Sequence, residues 1–152
     1  MKRTLVIATT LACLAAAVHA ADDPALAAEK AAVQRVVQEA YVDGIHNFRR
    51  PDAIRKGFHP GFEMLFVREG KLEKLPIYNW IQSIEEKNAK EPLPADAKAT
   101  TSAAYPLTEV TGTVAVCKVE LSREGKLVFT DYLILYKFDD GWKIVGKAFH
   151  RH

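Results

Sequence analysis

Three residues late in the chain have the types and spacing to act together: Lys118, Asp131 and His150. Asp131 lies inside an apolar run, KLVFTDYLILYKF, where a lone carboxylate is costly unless a cation or a hydrogen-bond donor meets it. A carboxylate beside an imidazole in a partly dry cavity can act as an acid or a base near neutral pH. Whether the three meet depends on the turns that flank this run. With Glu124-Gly125 and Asp140-Gly141 as two-residue turns, counting outward sets Asp131 opposite both Lys118 and His150 on one face. If the second turn instead spans Asp139-Asp140-Gly141, Asp131 faces Phe149 and the row is lost. The row also has a purely structural reading, in which Lys118 and Asp131 form a cross-strand ion pair with His150 hydrogen-bonded beside it.

Asp131 and His150 are therefore the candidate catalytic residues, and with Lys118 the candidate ligand contacts. His59 precedes Pro60, which biases it to extended backbone at a sheet edge, where it lines a pocket mouth or caps a turn. Tyr41, Tyr78, Trp80 and Tyr105 could wall a pocket with polar tips, or be plain core. His46 and His152 have no evident partners. A metal site built from His59, His150 and Asp131 would need three separated elements to converge without any short ligand spacing, so no metal is expected. No Gly-rich phosphate loop or nucleophile elbow is present, and no cofactor is expected.

The elements that position these residues follow from pattern. Three long strands, TVAVCKVELS, KLVFTDYLILYKF and WKIVGKAFHR, are separated by Gly-containing turns, which predicts antiparallel hairpins. Before them, Asp23-Pro24 starts a long helix whose Val33, Val36, Val37, Ala40, Tyr41 and Gly44 share one face and which ends near Phe48. A short helix follows from Pro51 to about Lys56, then a hairpin of Phe62–Val67 with Lys71–Leu75. A third helix opens at Pro76 and carries Ile77, Trp80, Ile81 and Ile84 on one stripe; Glu91-Pro92-Leu93-Pro94 ends it. Pro106 in the next strand implies an edge or a bulge. Helices segregated from an antiparallel run of strands define an α+β domain. Both faces of the last strands are apolar, with Tyr132, Ile134, Tyr136, Val145 and Phe149 on one, so a homodimer through the sheet face is expected.

At the other end, Lys2-Arg3, an apolar run from Leu5 to Val18 and Val18-His19-Ala20 read as a signal peptide over 1–20, with one domain over 21–152. The apolar run is shorter than the roughly 20 residues that span a bilayer. The expected product is exported, periplasmic or secreted, without a membrane anchor. Cleavage takes Lys2 and Arg3 from the 21 basic residues, leaving 19 against 19 acidic ones, a balance that points to neither nucleic acid nor an acidic membrane as partner. Cys117, mid-strand, is the one thiol left and reads as a buried small hydrophobe.

The chain resembles the nuclear-transport-factor-2-like superfamily and, within it, the exported proteins grouped as putative lumazine-binding. The resemblance rests on the element order from about Glu29 to His150. Local matches support it: Phe58-His59-Pro60, Phe129-Thr130-Asp131-Tyr132-Leu133, and Asp140-Gly141-Trp142-Lys143-Ile144-Val145 leading to Lys147-Ala148-Phe149-His150. It implies a cone, cystatin-like in outline, made by a strongly curved sheet wrapped around the N-terminal helices, with a pocket at the open end and often a dimer through the sheets. It also implies that members range from isomerases and dehydratases using a pocket Asp, His or Tyr to domains with no chemistry. Gly61 stands where relatives often carry an acidic residue. Three functions are open at this point: an exported small-molecule-binding or accessory domain with a small apolar or aromatic ligand, a cofactor-free lyase or isomerase using Asp131 and His150, and a structural dimer with a collapsed pocket.

Overall fold

The computed structural model describes residues 23–152; the expected signal peptide over 1–20 lies outside the described residues. Helix α1 spans Pro24–Val36, begins with the Asp23 side chain accepting from the Ala25 N–H at 3.0 Å, and has Pro at its first turn, as the sequence predicts. It runs on into a π-helical segment, Val37–Asn47. Helix α2 (Pro51–Gly57), strands β1 (Phe58–Arg68) and β2 (Lys71–Pro76), helix α3 (Ile77–Lys90) and strands β3 (Thr101–Thr111), β4 (Val114–Arg123), β5 (Lys126–Phe138) and β6 (Gly141–Arg151) follow. No described helix is long and apolar enough to cross a membrane.

The six strands form one sheet in the order β2-β1-β6-β5-β4-β3. It is antiparallel throughout except where β1 meets β6, which run parallel because α3 and the β3–β5 meander intervene between them in the chain. Bulges break the register in β3 between Ala104 and Leu107, in β5 between Leu127 and Phe129, and in β6 between Ile144 and Gly146. Each adds a residue to one strand and sharpens its twist, so the sheet curves. Pro106 sits in the first of these and on the edge strand, where its missing N–H costs no ladder bond.

The helices pack on one face of this sheet, α1 against β3, β4 and β6 and α3 against β1 and β2. The core lies between them, from Val33, Val37 and Tyr41 on the helical side to Cys117, Val119, Leu133, Leu135 and Ile144 on the strands. Cys117 is buried there with its sulfur 3.6 Å from the Thr108 hydroxyl. Asn47 closes the π segment onto β3: its side-chain oxygen accepts from the Thr100 and Thr101 N–H groups, and its amide donates to Thr101 O and Asp43.

Candidate functional site

Two of the bulges decide which residues surround Asp131. Both flanking turns are two-residue turns, Glu124-Gly125 and Asp139-Asp140, since Arg123 pairs with Lys126 and Phe138 with Gly141. From there an unbroken count would set Lys118 opposite Asp131 and His150 on the same face opposite Phe129, but Val128 and Val145 each shift the ladder by one residue. Asp131 therefore pairs with Val119 and Phe149, Lys118 with Tyr132, and His150 with Thr130. Lys118 and His150 point away from Asp131 on the opposite face, and the Lys118–Asp131–His150 row does not form. Lys118 instead pairs with Glu120 at 2.9 Å, and His150 is exposed, its ring edge-on to His152. Phe149, expected on the outer face, lies on the inner one with Asp131 for the same reason.

The β6 bulge turns Lys147 inward in place of His150. Its ammonium stands 2.9 Å from Asp131 Oδ1, and both residues are buried, Asp131 fully. Tyr41, from the π segment, donates its hydroxyl to Asp131 Oδ2 at 2.7 Å. Three rings surround the ammonium: Phe149 at 4.5 Å, Tyr41 at 4.8 Å and Trp80 at 5.5 Å from their centroids. A cation over ring faces and beside a carboxylate recovers part of its lost hydration. Burial still pulls the Lys147 pKa below the usual lysine value, with Asp131 opposing that shift. Burial, and then the Asp131 charge, push the Tyr41 phenol well above its ordinary range, so it stays a hydrogen-bond donor.

His46 completes the group, although no α-helical spacing connects it to Tyr41. Residues five apart on an α-helix stand about 140° apart around its axis. In the π segment the backbone bonds run i→i+5, as in Phe48 N–H to Asp43 O at 2.8 Å, which brings position 46 under position 41. The two rings meet edge-on with centroids 4.8 Å apart. His46 Nδ1 lies 3.3 Å from an Arg123 guanidinium nitrogen. Burial, then the Lys147 and Arg123 charges, lower its pKa from 6.5 to about 3. One polar atom of the group, His46 Nε2, is buried without a hydrogen-bond partner among the described residues, whereas Asp131 Oδ1 is met by the Lys147 ammonium. Phe129, near both His46 and Phe149, and Trp80 are half-buried and form the outer wall.

Of the sequence candidates, Asp131, Tyr41 and Trp80 come together; Lys118, His150, His59 and Tyr78 do not. His59 stacks on Phe138 with centroids 4.8 Å apart, and its Nδ1 accepts from the Gly61 N–H at 3.0 Å, so it caps a turn. Tyr78 is 66% exposed on the far side of α3 from the core. Tyr105 donates to Gln38 at 2.7 Å. Among the described residues no group of three His, Cys, Asp or Glu could hold a metal. A groove of about 590 Å³ lies elsewhere, between α1, α2 and the β5–β6 turn, and includes Glu29, Arg35, Lys56 and Trp142. Its anion Glu29 is already met by Lys137 at 2.5 Å and Trp142 at 2.7 Å. The buried group around Asp131, with its charged pair and the unpartnered His46 Nε2, is the better candidate site.

Helices on the concave face of a bulged six-stranded sheet, with a polar centre buried between them, define a nuclear-transport-factor-2-like domain. Residues 28–150 match the family described as "Putative lumazine-binding", and the chain belongs to that family. Among solved structures it is similar to an NTF-2-like protein of unknown function from Silicibacter pomeroyi, at 24% identity and TM-score 0.65, covering 83% of this chain and 98% of that one. An NTF2-like protein of unknown function from Shewanella baltica matches at 22% identity and TM-score 0.64, covering 83% and 95%. The association domain of C. elegans CaMKII matches at 14% identity and TM-score 0.58, covering 84% and 98%. These likenesses are of fold. No curated protein matches the sequence.

Proposed function

We propose that this protein is an exported small-molecule-binding domain, a homodimer through its outer sheet face, that seats a ligand at the Asp131 centre without chemistry of its own. The observation that carries this reading is the polar centre itself, Asp131 with Tyr41 and Lys147 and the unpartnered His46 Nε2, buried in an aromatic surround. Buried polar atoms in a folded protein almost always have partners, and a few convergent polar groups in an apolar lining are what a ligand site presents. The family description supports binding of a small heteroaromatic molecule. The lyase or isomerase reading needed His150 beside Asp131, and that imidazole is on the other face of the sheet. The dimer is supported by the apolar outer face, and export by the basic start, apolar core and Val-His-Ala ending of residues 1–20.

Native mass spectrometry of the protein purified from the exported fraction tests all three parts together. The expected spectrum is a dimer whose protomer mass begins at Ala21 and which carries a small molecule lost on denaturation. A ligand-free spectrum, together with no heat of binding on titration with lumazine, would overturn the binding reading in favour of a structural dimer with a collapsed pocket.

A further inference from the structure

We infer that the groove between α1, α2 and the β5–β6 turn is a second binding site, separate from the Asp131 centre, and that it takes a small amphipathic anion: an apolar chain or ring carrying one acidic group. The space is large enough, since about 590 Å³ lies within the range of small-molecule sites. It exists because the side chains along it are small. At its floor Gly57 of α2 meets Ala40 of the π segment so closely that a Cβ there would lie 2.2 Å from the Ala40 Cβ. Beyond that contact Ala32 and Val36 on α1 and Ala53 on α2 line the groove and leave the space between the helices open. Trp142 closes the end by the β5–β6 turn; it is 4% exposed and is fixed by its indole N–H donating to Glu29 Oε2 at 2.7 Å. The lining is thus an apolar trough with one aromatic wall.

The charges around the trough select the head group. Lys137 is held by Glu29 at 2.5 Å, and Lys143 by Asp140 at 2.8 Å with a further bond to the Lys56 carbonyl oxygen at 2.7 Å. Both carboxylates at that end are therefore taken. The remaining cations of the lining, Arg35, Arg50 and Lys56, are exposed and have no carboxylate at ion-pair distance among the described residues; the Arg50 guanidinium lies over the Phe48 ring, 4.5 Å from its centroid. Of the other carboxylates, Asp43 accepts from the Asn47 amide at 2.9 Å, and Glu39 stands one helical turn from Arg35 and can meet it. Arg50 and Lys56, near the two ends of α2, are left without a counter-charge. An acidic group complements them, and a guanidinium offers it a two-pronged donor. A cation would add to the excess, and a neutral apolar molecule would leave it unmatched.

The two tryptophans of the chain report the two places separately, Trp142 in the groove and Trp80 at the Asp131 centre. Proton–nitrogen correlation NMR follows their indole N–H signals, assigned with Trp80→Phe, while the wild-type protein is titrated with decanoate, decanol or decyltrimethylammonium, each below its micelle concentration. Decanoate should shift the Trp142 signal saturably and leave that of Trp80 in place; decanol should bind several-fold more weakly, and the ammonium compound not at all. Arg50→Gln combined with Lys56→Gln removes the free cations at exposed positions and should weaken decanoate on the order of tenfold while leaving decanol unchanged. No shift at Trp142, equal affinity for decanoate and decanol, or an unweakened double variant would each overturn the inference. A decanoate shift confined to Trp80 would overturn it as well and would support binding at the Asp131 centre instead. A shift at Trp142 upholds the groove site and leaves the binding reading above to its own mass-spectrometric test.

Discussion

At the residue scale the centre is governed by what burial does to charge. Asp131 and Lys147 are both out of water, and removing one partner of such a pair typically costs 3–5 kcal/mol because the other is left uncompensated. The Tyr41 hydroxyl and the rings of Tyr41, Trp80 and Phe149 reduce the cost of that dry interior rather than cancel it. His46 follows the same logic with a measurable consequence. Its pKa is about 3 when folded against 6.5 ordinarily, so between those values the unfolded chain binds a proton that the native one does not. Its contribution to stability is therefore complete above pH 6.5 and is lost as pH falls toward 3, at up to about 1.4 kcal/mol per pH unit. His46→Phe keeps a ring against Tyr41 and removes the proton. Urea unfolding of wild type and variant across this range should show a slope smaller by one proton in the variant, and identical slopes would place His46 in a wetter site than described.

At the element scale the π segment and the strand bulges do the positioning. The π segment is buried almost all round, with Val37, Ala40, Tyr41, Val42, Gly44, Ile45 and Asn47 inside, and its i→i+5 bonding sets His46 on the Tyr41 face. It is held against α2 by contact too close for an extra methyl group. A Cβ on Gly57 would lie 2.2 Å from Ala40 Cβ, and at that distance the backbone of one element must move. Gly57→Ala should destabilise the fold by roughly 1–3 kcal/mol, the usual range for overpacking, read as a lower urea midpoint. Ala40→Gly in the same chain should restore part of the loss, since it removes the atom in conflict. A Gly57→Ala variant as stable as wild type would mean that α2 and the π segment stand further apart.

At the scale of the whole molecule the outer face of the sheet remains to be covered. Tyr132, Ile134 and Tyr136 are 48%, 45% and 44% exposed in the single chain, opposite Lys118, Val116 and Val114 on β4. That continuous apolar row is where the proposed dimer meets, and a second copy would bury it symmetrically. Phe149 has no part in it, because the β6 bulge takes it inside. Ile134→Glu puts a charge at the centre of the row without touching the core. Light scattering at micromolar concentration should give a dimer mass for wild type and half that for the variant, with unchanged far-ultraviolet circular dichroism. A wild-type monomer would refute the dimer.

The sequence by itself determined the α+β class, the order of elements from Asp23-Pro24 to β6, an edge or a bulge at Pro106, the burial of Cys117, and Asp131 as the residue whose surroundings matter. Those follow from local rules: capping, periodicity of apolar residues, turn residues, and the cost of a carboxylate in an apolar run. Tertiary structure alone decided its partners. One bulge residue in β5 and one in β6 invert which side chains face Asp131, exchanging Lys118 and His150 for Val119, Lys147 and Phe149. A π-helical stretch that α periodicity does not anticipate delivers His46. Side chains alternate along a strand with a period of two, so a one-residue shift moves a whole set to the other face, and such a shift is set by how the curved sheet closes on its helices rather than by the strand's own residues.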